Sequence, residues 1–190
     1  PLIYLNMVGA QDDQVFDGGT FALNRGGSLA IKLPLFEEAL EHIVLEETDI
    51  GWNIIKGELA KVPCDKELEY HAMVMGLRDY CKKSGFEKVV LGLSGGIDSA
   101  LVAVIASDAI GSANVRSIML PSPYTSQTSL IDASDLIENL GCKSDTLPIN
   151  DSLTAIDKTL SSTFEGRKID LTEENIQSRL RGLLLSLIHI

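Results

Sequence analysis

The chain is short of basic residues, of cysteine and of long apolar runs, and each shortage excludes something. Sixteen Lys and Arg stand against 27 Asp and Glu, a formal charge of −11 and a pI of about 4.6. A duplex nucleic-acid binder needs a basic face to displace counterions from phosphates, so no nucleic-acid partner is expected. A nucleotide ligand stays open, because one small site can be locally favourable on an acidic protein. Cys64, Cys81 and Cys142 are too few and too scattered for a disulfide framework or a zinc site. The longest wholly apolar run in mid-chain, Ala100 to Ala106, is far below the ~20 residues that span a bilayer, so no membrane partner is expected. No basic-then-apolar leader opens the sequence, which points to a cytoplasmic location. The bulk composition is ordinary. Hydrophobic residues make up 45% of the 190 and charged residues 23%, which argues against wholesale disorder.

Two unlike textures follow one another along the chain. From Pro1 to Pro34 short β-prone runs (PLIYLNMVG, GTFALN, SLAIKLP) alternate with polar and Gly-rich punctuation. Strands are expected at Leu2–Val8, Thr20–Leu23 and Leu29–Leu33; three such strands cannot close a core alone, so residues 1–35 read as the tail of a larger domain. Residues 36–64 carry Glu37, Glu38, Glu41, Glu46, Glu47 and Asp49 and read as an exposed acidic connector with some local helix. After residue 64 the period changes. DKELEYHAMVMGLRDYCKKSG has apolar residues at Tyr70, Met73, Val74, Leu77 and Cys81, the spacing of an amphipathic helix ended by Gly85. KVVLGLS reads as a strand buried on both faces. Helix, strand, helix, strand and two more helices follow to Leu185. That order predicts an α/β fold, a doubly wound parallel sheet with its ligand at the carboxyl ends of the strands.

The segment with chemistry in it is Gly92-Leu93-Ser94-Gly95-Gly96-Ile97-Asp98-Ser99, where the first buried strand gives way to a helix. Gly95 and Gly96 permit a tight turn and leave backbone N–H groups unshielded. Ser94 and Ser99 add hydroxyls, and the helix adds its positive end. This is a cradle for a phosphate or pyrophosphate. Asp98 would repel phosphate unless it holds a Mg²⁺ that bridges to phosphate oxygens, the kind of site Mg²⁺ favours. The plainer reading is that the glycines merely turn the chain and Asp98 caps the helix. The loop is neither a Walker A motif nor a Gly-x-Gly-x-x-Gly fingerprint.

SGGIDS resembles the pyrophosphate loop of the ATP-pyrophosphatases, among them GMP synthetase, asparagine synthetase, tRNA-thiolating enzymes and NAD synthetase. Three further segments resemble the glutamine-dependent NAD synthetases in particular. Met119 to Gly141 is similar to the stretch after their second strand. ENIQSRLRG (Glu174 to Gly182) resembles their Asn-x-Gln-x-Arg-x-Arg helix, and PLIYLNMVGAQDDQVFDGGTFALN resembles the last strands of their nitrilase-like glutaminase domain. The resemblance covers nearly the whole chain. It implies an adenine nucleotide alpha hydrolase-like domain over residues 65–185, preceded by terminal strands of an α-β-β-α nitrilase-like sandwich over residues 1–35. Gly92, Leu93, Ser94, Gly95, Gly96, Ile97, Asp98 and Ser99 would bind ATP, with Asp98 a Mg²⁺ ligand and the backbone near Met119 facing adenine. Asn175 and Arg179 would contact deamido-NAD, although alone they read as a solvated helix face.

The implied reaction is amidation of deamido-NAD to NAD through an acyl-adenylate, releasing AMP and pyrophosphate, with nitrogen from glutamine or ammonia. Homo-oligomerisation of the intact enzyme belongs to the same implication. The glutaminase Glu, Lys and Cys of that family match nothing here, so glutamine is not expected to donate nitrogen to this chain, and no catalytic residue is assigned. LSLIHI reads like a translated sequencing adapter; residues 186–190 are therefore expected to be a non-native tail and the chain an inactive fragment. Another amidotransferase such as GMP synthetase is the enzyme alternative, and a non-catalytic nucleotide-binding chain the alternative from another class.

Overall fold

Residues 1–166 and 171–188 are described by the structure, a computed structural model. The chain forms two compact units, Pro1–Gly85 and Phe86–Ile190.

In the first unit, β1 (Leu2–Tyr4), β4 (Phe21–Leu23) and β5 (Leu29–Lys32) form an antiparallel sheet in the order β1-β4-β5. Tyr4 and Phe21 face each other across strands with ring centroids 5.1 Å apart, the kind of aromatic pair that fixes register. The span expected as one strand, Leu2–Val8, breaks at Leu5. Its far end opens a hairpin, β2 (Val8–Gln11) with β3 (Gln14–Asp17). Residues 36–64 differ from expectation too. The local helix is not there; the segment holds a second hairpin, β6 (Leu45–Thr48) with β7 (Gly51–Ile54). The acidic residues are exposed as expected, but Ile54 is fully buried and joins Ala22, Ala30 and Ile31 in a small core. Asn24 clasps that strand, its side-chain amide donating to the Ile54 carbonyl (2.8 Å) and its oxygen accepting from the Ile54 N–H (2.7 Å). The first strands therefore do have something to pack against, supplied by the segment read as a connector.

Helix α1 (Asp65–Ser84) ends as expected at Gly85 in the left-handed conformation. It packs against β2 and β3, burying Met75 and Cys81, while Met73 is exposed. Asp79 accepts from the Ala10 N–H at 2.8 Å and from Arg78 Nε at 3.1 Å, and Lys83 Nζ donates to the Ala10 carbonyl. Burial pushes the Asp79 carboxyl up, but the Ala10 N–H, Arg78 and Lys83 outweigh it and hold its pKa below 3.8. A carboxyl with a depressed folded pKa contributes stability above its unfolded value, lost as pH falls through the folded one. Asp79→Ala is expected to remove about 1–3 kcal/mol and to speed amide exchange over residues 8–17. The difference from wild type should close on acidification below that range; a difference independent of pH would contradict the clamp.

The second unit holds β8 (Val89–Gly92), α2 (Ile97–Ile110), β9 (Val115–Met119), α3 (Gln127–Leu140), β10 (Lys143–Thr146), α4 (Asn150–Leu160) and α5 (Leu171–Ile188). The strands are parallel in the order β10-β9-β8, from Val89 opposite Val115 to Thr146 opposite Met119. Side chains alternate across the sheet. Leu91 and Met119 pack with Leu93 and with Ala103 of α2 and Ala133 of α3. Val90 and Ile118 pack with Leu153 of α4 and Leu180 of α5. Helices thus cover both faces, as the doubly wound pattern predicts. Helix α5 continues to Ile188, which packs against that second cluster; of the segment expected to be a non-native tail, residues 189–190 lie outside the described residues. Among those described, no helix is long and apolar enough to cross a membrane.

Candidate functional site

Parallel strands splay apart where their chains leave for helices, and β8 and β9 do so here. The last bond on their shared side runs from the Leu93 N–H to the Ile118 carbonyl (2.9 Å). Beyond it the chain turns through Ser94-Gly95-Gly96 into α2. The turn is held from within. Ser99 Oγ accepts from the Ser94 N–H (3.2 Å), donates to the Gly96 carbonyl (3.0 Å) and lies 3.0 Å from Ser94 Oγ. Ser94 Oγ accepts from the Gly96 N–H at 3.3 Å. The two hydroxyls expected to face a ligand therefore brace the loop. Among the described residues the N–H groups of Ile97, Asp98 and Ser99 have no acceptor, the usual state of a first helical turn. They are the donors this loop could offer an anion.

Gly95 has φ +84°, and a Cβ placed on it would lie 2.1 Å from the carbonyl oxygen of Ser129. Loop and helix α3 are thus in backbone-to-backbone contact. Helix α3 starts cleanly there, Ser126 accepting from the Ser129 N–H at 3.1 Å. Asp98 is exposed and makes no hydrogen bond or ion pair among the described residues, so it does not cap α2. No group of three or more His, Cys, Asp or Glu among the described residues can cage a metal. One free carboxylate beside a phosphate cradle fits Mg²⁺, which takes few protein ligands and completes its shell with water and phosphate oxygens.

Between the splayed strands lies a cleft of about 250 Å³. Gly92, Leu93 and Ser94 form one wall, Ile118 to Pro121 the floor, and Thr125 and Leu130 the α3 side. Arg181 and Leu185 of α5 close it. The structure thus brings Gly92, Leu93, Ser94 and Met119 together. Leu93 is buried in the core and Ile97 is 80% exposed. The Met119 carbonyl is engaged by the Leu147 N–H at 2.8 Å. Asn175 and Arg179 are exposed on α5 and line no part of the cleft.

Sequence reasoning missed Arg181. Its Nε donates to the Leu120 carbonyl at 3.0 Å. The signal was available: Ile176, Leu180, Leu184 and Ile188 form the inward stripe of α5. At 100° per residue Arg181 lies about 80° from the middle of that stripe, whereas Arg179 lies about 120° away.

Residues 69–189 match the NAD synthase family model. The chain is 56% identical over 188 residues to a glutamine-dependent NAD(+) synthetase of Rhodobacter capsulatus, covering 99% of this chain and 34% of that one. A Synechocystis relative of the same name is 46% identical over 190 residues, with the same coverage. The solved Acinetobacter baumannii glutamine-dependent NAD+ synthetase in complex with ADP superposes with a TM-score of 0.92 at 39% identity, over 98% of this chain and 35% of that one. The chain spans about a third of the length of the curated relatives it matches.

Proposed function

The chain belongs to the NAD synthase family, and from that premise we propose that it carries the adenine-nucleotide site of an ATP-dependent amidation of deamido-NAD to NAD. The observation that carries this reading is the splayed β8–β9 cleft with an anion-binding turn at one wall. The Acinetobacter baumannii relative is solved in complex with ADP, which supports an adenine nucleotide as the ligand. Adenine would lie against the floor from Ile118 to Pro121. The polyphosphate would lie on the free N–H groups of Ile97, Asp98 and Ser99. An oxygen of the nicotinate carboxylate attacks the α-phosphorus, the α–β bridging bond breaks, and pyrophosphate leaves. Ammonia then displaces AMP from the acyl-adenylate to give the amide, its extra proton passing to solvent or to the departing AMP. The fixed N–H donors stabilise the charge that develops on pyrophosphate without reorganising.

Asp98 is the residue that would hold Mg²⁺. When bound, the ion would screen charge on the phosphate oxygens. Asn175 and Arg179, on the outward face of α5, would meet deamido-NAD outside the cleft. Residues 1–35 would be the last strands of a nitrilase-like glutaminase domain, 36–64 the passage between domains and 65–185 the synthetase part. Glutamine or ammonia would supply nitrogen, and the full-length enzyme would be a cytoplasmic homo-oligomer.

The test is a chimera in which this sequence replaces the matching segment of the Rhodobacter capsulatus relative. Exchange of labelled pyrophosphate into ATP should depend on deamido-NAD and not on XMP. Exchange supported by XMP instead would move the chain to a different acceptor class.

A further inference from the structure

The Gly92–Ser99 loop contains no lysine or arginine, although the ligand assigned to it carries several negative charges. Of the described residues lining the cleft, Arg181 alone is cationic. Its placement follows from the way the two strands part. Carbonyls along a strand point alternately to its two neighbours. The Met119 and Pro121 carbonyls are taken on the β10 side by the Leu147 and Ile149 N–H groups (2.8 and 3.0 Å), and Ile118 on the β8 side by Leu93. The next carbonyl on the β8 side is Leu120. The N–H that would have met it is gone, because the β8 chain has turned away at Ser94. Arg181 Nε takes that place at 3.0 Å.

One nitrogen is thereby fixed and the guanidinium plane with it. A guanidinium has five N–H donors; no other hydrogen bond or ion pair to Arg181 occurs among the described residues. Four charged donors are left on a half-buried side chain at the cleft wall. Capping a carbonyl requires one donor and no charge, so the remaining four are unexplained by packing.

We propose that Arg181 binds the phosphates of the adenine nucleotide in this cleft, supplying the positive charge that the loop lacks. The assignment rests on the nucleotide reading of the cleft given above. Charge-assisted hydrogen bonds to phosphate are the strong ones, and a planar fork fixed at Nε presents them without a further loss of freedom.

Calorimetric titration of the 190-residue chain with ATP and with adenosine separates binding of phosphate from shaping of the cleft. Wild type should prefer ATP. Arg181→Gln should lose about tenfold to hundredfold in ATP affinity, with adenosine affinity held within about twofold, and Lys158→Gln, the same charge change on exposed α4, should change neither. Equal losses for ATP and adenosine, or an unchanged ATP affinity, would overturn the assignment. Should Arg181→Gln unfold, Arg181→Lys decides. It keeps the charge, so it should retain most of the preference for ATP; loss of that preference equal to its loss of adenosine would mean a structural role only. A wild-type chain that binds neither ligand overturns the nucleotide reading, and this one with it.

Discussion

Gly95→Ala is expected to cost about 3–5 kcal/mol in the second unit, an unusual effect for one methyl group. Two terms add. A residue with a Cβ at φ +84° carries about 1–2 kcal/mol of strain. Overpacking adds about 1–3 kcal/mol where neighbours can shift, and here they cannot do so easily. The new carbon would lie 2.1, 2.7 and 2.8 Å from the O, C and Cα of Ser129, which are backbone atoms. Ser129 is fixed in the first turn of α3 by the Ser126 cap, and Ala133 one turn on is buried in the core. Gly26 provides the comparison: it has the same φ of +84°, and nothing lies within 4 Å of its Cβ position. Gly26→Ala should show the strain alone, about 1–2 kcal/mol. Urea unfolding followed by hydrogen exchange in each unit measures both, and ATP affinity should fall with Gly95→Ala only. Equal destabilisation by the two changes would show that the loop does not touch α3.

How much of this could be read beforehand depended on whether burial left a periodic trace. The second unit was legible because helices pack on both faces of its sheet, most fully over β9. VVLG and VRSIM are apolar enough to stand out, and Gly141 ends α3 where a left-handed cap is needed, as Gly85 ends α1 in the first unit. The two hairpins of the first unit left no such trace. All four residues of β6 are exposed, and β7 buries only Ile54, so neither shows the alternation of a half-buried strand. The β2–β3 turn puts Asp12, not glycine, at φ +53°, and the Asp-Asp pair reads as a loop. Within the site, GLSGGIDS displayed the tight turn from β8 into α2, because adjacent glycines between an apolar run and a helix mark such a turn. The division of labour inside it was hidden. That Ser94 and Ser99 turn inward is a consequence of tertiary placement, and that Arg181, not Arg179, reaches the cleft shows only in the apolar stripe of α5. Motif spacing carries neither.

Asp98→Ala should separate stability from function more sharply than any other change in the chain. The carboxylate is exposed and has no partner among the described residues, so its removal creates no cavity and strands no buried group. What it does contribute to the fold is a negative charge in the first turn of α2, worth about 0.3–1 kcal/mol. Thermal stability should therefore drop by under about 1 kcal/mol. Its effect on nucleotide binding should depend on the cation. Without Mg²⁺ a carboxylate beside a polyphosphate is repulsive, and Asp98→Ala should bind free ATP as well as wild type or better. With Mg²⁺ the wild-type chain should gain affinity and the variant should not. In the Rhodobacter capsulatus chimera the same change should lower deamido-NAD-dependent pyrophosphate exchange at least about hundredfold. Titration of ATP with and without Mg²⁺ checks the first part independently of turnover. An equal gain from Mg²⁺ in both proteins would remove Asp98 from the metal and leave its charge as a helix-end contribution alone.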